Sequence, residues 1–270
     1  MRGVFGPEVV HGLRRATRAL LGMQRPVASG PSNESVYETL YERLATQIAG
    51  DEVVGDGPFD LVGRRELSVL VMEGLTPTDT LLDFGCGTGR LALHAIPALA
   101  SGHYIGTDIS KSILARAEHH IALAFPNPSC RISWFHQRTE QFPVPDASVD
   151  MMCAFSVFTH MEHEDSFRYL EDAIRVLRPG GRLVLSCLSL DFPLAREVFL
   201  AQADADFRTR WKQVRNVTTS RDLISAVANL AGWTSLRWYP GDERNVRPVD
   251  GGEAVAFGQS ILVLQNDSKN

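Results

Sequence analysis

Asp83-Phe84-Gly85-Cys86-Gly87-Thr88-Gly89 places an acid and three alternating glycines directly after the apolar run Leu81-Leu82. Glycine tolerates positive φ and lets a ligand approach the main chain, and a helix that follows offers N–H groups without partners, so the segment can cradle a cofactor. Asp108 closes the run Tyr104-Ile105-Gly106-Thr107, about twenty residues on, where an acid can bind both hydroxyls of a ribose. The dinucleotide spacing G-x-G-x-x-G would need glycine at position 90, but Arg90 stands there. Asp83 argues the same way, because an acid beneath the turn repels a pyrophosphate and suits an ammonium. The ligand read from these residues is a nucleoside with an amino-acid tail. A second titratable group, His160-Met161-Glu162-His163-Glu164-Asp165, spaces two imidazoles three apart. On a helix that spacing admits a divalent metal. None is expected, because Glu164 and Asp165 suit the positive end of the helix that follows.

These residues need a scaffold, and the periodicity supplies one. From Thr80 onward, short apolar runs alternate with longer amphipathic ones, which predicts a parallel sheet covered by helices. Expected strands are 80–84, 104–107, 132–136, 149–155, 182–187, 234–239 and 260–264. Expected helices are 90–99, 110–124, 165–177 and 221–231, with Phe167, Leu170, Ile174 and Leu177 as the buried stripe of the third. Upstream, Ser35 and Glu38 make a capping box before a helix whose apolar face carries Tyr37, Leu40, Tyr41, Leu44 and Ile48. A further helical pattern runs from Leu61 to Leu75. The chain divides into a basic arm at 1–32, a helical lid or cap segment at 33–76, and a cofactor-binding domain at 77–266.

D-x-G-x-G-x-G resembles motif I of the class I S-adenosylmethionine-dependent methyltransferases. Phe142 to Asp150 (FPVPDASVD) resembles that family's approach to strand four, and Arg175 to Leu185 (RVLRPGGRLVL) its helix-to-strand-five turn. The resemblance covers roughly residues 75–264, with specific motifs in the first half only. It implies an α/β fold with a Rossmann-like, seven-stranded, mostly parallel sheet flanked by helices, its last strand antiparallel. It implies S-adenosylmethionine as cofactor and S-adenosylhomocysteine as product. Carried over residue by residue, Gly85, Cys86 and Gly87 line the methionine portion, Asp83 lies near its ammonium, Asp108 holds the ribose and Ile109 packs on the adenine. Where the family often has an adenine-binding Asp, this chain has Arg138, so Thr139, Glu140 or Gln137 takes that contact instead. Phe155, Tyr37 on a lid helix, and Arg64 reaching the cofactor carboxylate complete the candidate cofactor residues.

Ser156 to His160 (SVFTH) resembles a loop of small-molecule methyltransferases. A sulfonium already activates its methyl group, but a hydroxyl acceptor must lose a proton, and an imidazole near neutral pKa suits that task. His160 is the candidate base and His163 a second catalytic candidate; the alternative is a loop-packing imidazole that touches only the cofactor. Residues 189–219, with Phe192, Phe199, Phe207 and Trp211 among basic side chains, form the candidate acceptor cap, and Asp242, Glu243 and Arg244 are further candidate polar contacts. The expected partner is a small-molecule hydroxyl acceptor, a sugar or a glycosylated or polyketide natural product. Nitrogen or carbon transfer and a non-catalytic cofactor-binding module remain the alternatives.

Charge and composition narrow the classes. Arg and Lys number 27 against 32 Asp and Glu, a net charge of −5, so no basic field favours a nucleic-acid partner. Cys86, Cys130, Cys153 and Cys187 lack C-x-x-C spacing, which suggests neither zinc nor disulfides and fits a reducing cytoplasm. Residues 1–32 hold five arginines but no apolar run long enough for a membrane span. A homodimer is left open.

Overall fold

A computed structural model describes residues 36–47 and 57–268. The arm at 1–32, Ser35 of the capping box and Ile48 lie outside the described residues. Helix α1 spans Val36–Gln47 and α2 Phe59–Met72. Then β1 (Thr80–Phe84), α3 (Ala92–Ala98), β2 (His103–Asp108), α4 (Lys111–Ala124), β3 (Arg131–His136) and β4 (Val149–Ala154) alternate. A 3-10 turn at Phe158–His160 leads into α5 (His163–Val176) and β5 (Leu177–Ser189). Next come α6 (Pro193–Asp204), α7 (Phe207–Arg210), β6 (Thr218–Thr219) and α8 (Arg221–Ala231), and finally β7 (Ser235–Tyr239), β8 (Arg244–Val246), β9 (Val255–Ala256) and β10 (Ser260–Gln265).

The sheet runs in the order β3-β2-β1-β4-β5-β10-β7, with β6 added beside the end of β5. β10 enters between β5 and β7 and runs antiparallel to both, while the other pairings along β3 to β5 are parallel. Strand residues alternate faces, so period two sorts the core into two layers. Leu82, Met152, Leu183, Leu185 and Leu262 pack toward α5 and α8. Leu81, Met151, Val184, Ile261 and Val263 pack toward α2, α3 and α4. The buried stripe of α5 follows the expectation at Leu170, with Phe167 and Ile174 partly buried around it.

Among the boundaries that depart from expectation, two fall at glycine-containing turns. β5 begins at Leu177 rather than Arg182, because the Arg178-Pro179-Gly180-Gly181 turn bulges out between the pairs Val149↔Leu177 and Met151↔Arg182. α3 begins at Ala92 rather than Arg90, since the glycine-rich turn extends through Leu91. Both shifts occur where glycine makes the local pattern ambiguous.

Candidate active site

The carboxyl edges of β1, β2 and β4 open into a cavity of about 780 Å3, within the ordinary range for small-molecule sites. Its floor is the glycine turn. Gly85 and Cys86 both donate from their main-chain N–H to Thr107 O, at 2.8 and 2.9 Å, which locks the turn to the end of β2. Gly85, Gly87 and Gly89 have φ of 72°, 56° and 90°, values that cost an L-residue about 1 kcal/mol or more each. At Gly85 an added Cβ would also lie 2.5 Å from Val157 Cγ2. No other residue type fits there without moving the β4 loop.

Two buried carboxylates flank the turn. Asp108 accepts from Gly87 N through Oδ2 at 3.0 Å and from Ser110 N through Oδ1 at 2.9 Å. Asp83 lies deeper, accepting from Tyr104 Oη at 2.6 Å and from Cys153 Sγ at 3.5 Å. Burial pushes each carboxyl up to about 6. A third acid, Glu66 on α2, is held by Arg90 Nη2 at 2.5 Å and Nε at 3.3 Å, yet burial still pushes it up to about 7. All four side chains border the cavity. This donor set fits S-adenosylmethionine: an ammonium beside Asp83 would return the counter-charge that burial removes, and a ribose diol would donate to the Asp108 carboxylate. Ile109 lines the same wall, its carbonyl accepting from His136 Nε2 at 2.9 Å.

α1 lies over this part of the cavity and presents Tyr37 and Tyr41 to it. Tyr37 Oη donates to Asp165 Oδ2 at 2.7 Å and accepts from Glu162 N at 3.0 Å; burial raises its phenol above the ordinary range. Glu42 Oε1 accepts from Ser110 Oγ at 2.9 Å and from Ser112 N at 3.1 Å. Glu38 meets His136 Nε2 at 3.3 Å and Arg138 Nε at 3.2 Å. The helix is therefore tied to the ends of β2 and β3 and to the start of α5.

Beyond β4 the wall changes character. Ser156 turns the chain with φ of 58°, and the next residues deliver His160 to the cavity on the 3-10 turn. His160 Nδ1 lies 3.0 Å from Arg215 O. A carbonyl only accepts, so Nδ1 carries a proton, and Nε2 is the nitrogen that bears the lone pair when the ring is neutral. Tyr41 stands edge-on to that ring at 6.4 Å. Leu188, Leu194, Val198, Val214 and Asn216 form the far wall.

Several sequence candidates sit elsewhere. Arg64 projects from the exposed side of α2 and pairs with Asp60 one turn away and with Asp250, so Arg90 rather than Arg64 is the arginine at the cavity. Arg138 turns to Glu38, and Thr139 lies outside the lining, its carbonyl accepting from buried Gln137 Nε2. His163 also stays outside, with Nε2 3.2 Å from Thr219 Oγ1. Among the described residues no three His, Cys, Asp or Glu side chains converge as a metal site would require. In the cap, Phe192 is buried in a small cluster with Leu188 and Ala195, while Phe199, Phe207 and Trp211 face solvent; aliphatic side chains, not aromatic ones, meet the cavity. Asp242, Glu243 and Arg244 do not line it either, and Arg244 pairs with Glu253 in the bend before β9. The sequence reading passed over Gln259, which lines the cavity. Its signal was positional: the start of an antiparallel last strand lies at the carboxyl edge of its parallel neighbours.

With this geometry the comparisons agree. Residues 81–181 match the family model described as a methyltransferase domain. An arsenite methyltransferase of Halobacterium salinarum is 29% identical over 63% of this chain and 41% of its own length. A 27-O-demethylrifamycin SV methyltransferase of Amycolatopsis mediterranei is 35% identical over 50% of this chain and 47% of its own. The match thus spans less than half the length of either relative. The crystal structure of magnesium protoporphyrin IX methyltransferase from Synechocystis PCC 6803 with bound SAH superposes with a TM-score of 0.56 at 17% identity, covering 86% of this chain and 98% of that one; at that identity it speaks for the fold. Residues 81–181 thus carry a methyltransferase domain, S-adenosylmethionine is its cofactor, and the fold is shared with solved methyltransferases that hold SAM or SAH.

Proposed function

We propose that the protein methylates a hydroxyl group of a small, largely apolar natural product of the polyketide or glycosylated kind, with His160 as general base. The single observation that carries this reading is the His160 Nδ1 to Arg215 O contact of 3.0 Å, which directs the basic nitrogen of a cavity-lining imidazole away from the cap backbone. Bound S-adenosylmethionine supplies an electrophilic methyl group on its sulfonium. Asp108 holds the ribose and Asp83 the ammonium, Gly85 and Gly87 keep the methionine portion against the main chain, and α1 acts as a lid that excludes water. His160 Nε2 takes the hydroxyl proton as the oxygen attacks in line, and the Arg215 carbonyl stabilises the resulting imidazolium. The aliphatic far wall supports an apolar acceptor over a free polyol, as does the relative named for an oxygen of rifamycin SV. The same reading places the protein in the cytoplasm, with neither a nucleic-acid substrate nor a span, and no described helix is long and apolar enough to cross a membrane.

An acceptor of the arsenite kind has less support. A soft arsenic centre calls for accessible thiolates, whereas all four cysteines are buried and burial raises their thiols. His160→Ala should lower kcat on a hydroxyl acceptor about 10²- to 10⁴-fold while calorimetric titration shows unchanged S-adenosylhomocysteine affinity. Full activity in that variant, or a rate profile without a limb near neutral pH, would return His160 to a packing role and favour a nitrogen or carbon acceptor.

A further inference from the structure

The cavity continues past β4 over the edges of β5 and β10, and there it carries a polar group that the cofactor does not need. Ser186 on β5 is fully buried. Its Oγ accepts from Ser156 N at 2.8 Å and donates to Gln259 Oε1 at 2.6 Å. This fixes the amide orientation, because the reverse setting would leave the buried Ser186 hydroxyl proton without an acceptor. Gln259 Nε2 then faces Ser156 Oγ at 3.1 Å and donates to it with one hydrogen. The second Nε2 hydrogen of Gln259 is left over at the cavity wall, and the hydroxyl of Ser156 donates only across a long 3.4 Å contact to Gln259 Oε1, which a closer acceptor can replace. Both residues line the cavity, and Ser156 holds a left-handed φ of 58° to be there, a backbone cost that clusters at functional positions.

The strand order divides the site. Asp83, Gly87 and Asp108 stand at β1 and β2, whereas Gln259 is three strands from β1 in the order β1-β4-β5-β10, beside Leu188 and the aliphatic wall. We infer that Gln259 and Ser156 form a donor pair that recognises a carbonyl oxygen of the acceptor, so the substrate class is a neutral, mostly apolar molecule carrying a ketone, ester or amide carbonyl as well as the methylated hydroxyl. This rests on the hydroxyl-transfer reading and narrows it. Neutral donors between apolar walls match a neutral carbonyl. A carboxylate would need a cation, and Arg90, at the opposite end, is already paired with Glu66. Covering this half-buried donor pair without offering it a carbonyl also penalises analogues that lack one, which makes the pair selective as well as attractive.

The test is equilibrium binding in the presence of S-adenosylhomocysteine, with the three hydroxyacetophenone isomers each compared with the ethylphenol of the same skeleton. For at least one isomer the wild-type protein should bind the ketone about tenfold more tightly than its ethylphenol, the effect of one good hydrogen bond. Gln259→Glu keeps an acceptor for Ser186 but replaces the outward donor with an acceptor, so it should erase or invert that preference. Gln259→Leu should bring the two affinities level. Both variants should bind S-adenosylhomocysteine like the wild type, which also establishes that they are folded. Equal binding of ketone and ethylphenol in all three pairs, or a preference that survives in both variants, would overturn the assignment. The binding readout needs no turnover. Ketones that bind preferentially but are never methylated would therefore sink the hydroxyl-transfer reading alone, and methylation of ethylphenols as readily as ketones would sink this one alone.

Discussion

Asp83 and Asp108 are both pushed up to about 6 by burial, so between about pH 4 and 6 the folded chain binds more protons at these sites than the unfolded chain does. Their contribution to stability without ligand therefore falls as pH rises through that window and is level above it. The cofactor's ammonium and ribose favour the ionised forms, so its affinity rises across the same window, by up to about tenfold per pH unit for each carboxylate required. The increase in Tm on adding S-adenosylhomocysteine should accordingly be larger near pH 7 than near pH 5. An equal increase at both would show that neither acid meets the ligand. The place of Asp83, Asp108, Gly85 and Gly87 at the cavity was legible because it is set locally: type and spacing along a few residues carry it. Gly85→Ala combines a positive φ with a 2.5 Å clash on Val157 and should cost at least about 2 kcal/mol in denaturant unfolding. Arg64 and Arg90 were not separable in this way, since both are arginines near the turn and only the packing of α2 decides which one faces inward.

Among the elements, α1 depends on a few polar ties. Its Glu42 carboxylate receives Ser110 Oγ and Ser112 N, and its Tyr37 hydroxyl bridges Asp165 and Glu162. A helix of 12 residues is marginal by itself, so losing one tie should free the helix without unfolding the sheet. Glu42→Ala should raise amide exchange across residues 36–47 and weaken S-adenosylhomocysteine binding about fivefold, the effect of roughly 1 kcal/mol, with Tm of the ligand-free protein nearly unchanged. A large fall in that Tm would mean α1 belongs to the main cooperative unit. The helix was legible from the spacing of Tyr37, Tyr41 and Leu44, and its place over the cofactor site only through the resemblance; the ties that hold it there were not, because the partners at 110, 112 and 165 are distant in sequence. The aromatic residues of the cap misled for a related reason. Phe199, Phe207 and Trp211 look like a ligand platform by type, but whether an aromatic on a short helix faces a cavity or water depends on how the helix is set down.

For the molecule as a whole, the two core layers carry the stability and the cap carries little. Trp233 is 2% exposed and donates from Nε1 to Leu170 O at 2.9 Å, joining the end of α8 to α5. Trp233→Ala should cost about 3 to 5 kcal/mol by denaturant unfolding, whereas Phe207→Ala, at 67% exposure, should stay within about 0.5 kcal/mol. The strands were legible as short apolar runs, because a sheet covered on both faces is apolar along the whole strand, and the antiparallel last strand was legible only through the resemblance; the cap, with no such constraint, was legible only as an insertion. Its two ends are stapled together, Leu188 and Ser189 pairing with Thr218 and Thr219, so the stretch between them leaves and rejoins the sheet at one point. Replacing that closed loop with one of different length should therefore leave S-adenosylhomocysteine affinity unchanged in a calorimetric titration. Yet the same loop contributes Arg215 O to His160, and Val217 N donates to Thr159 O at 2.6 Å. On the proposed reading, acceptor choice and base alignment therefore sit in one loop, and a loop that brings in a new substrate must also bring a carbonyl to hold the imidazole.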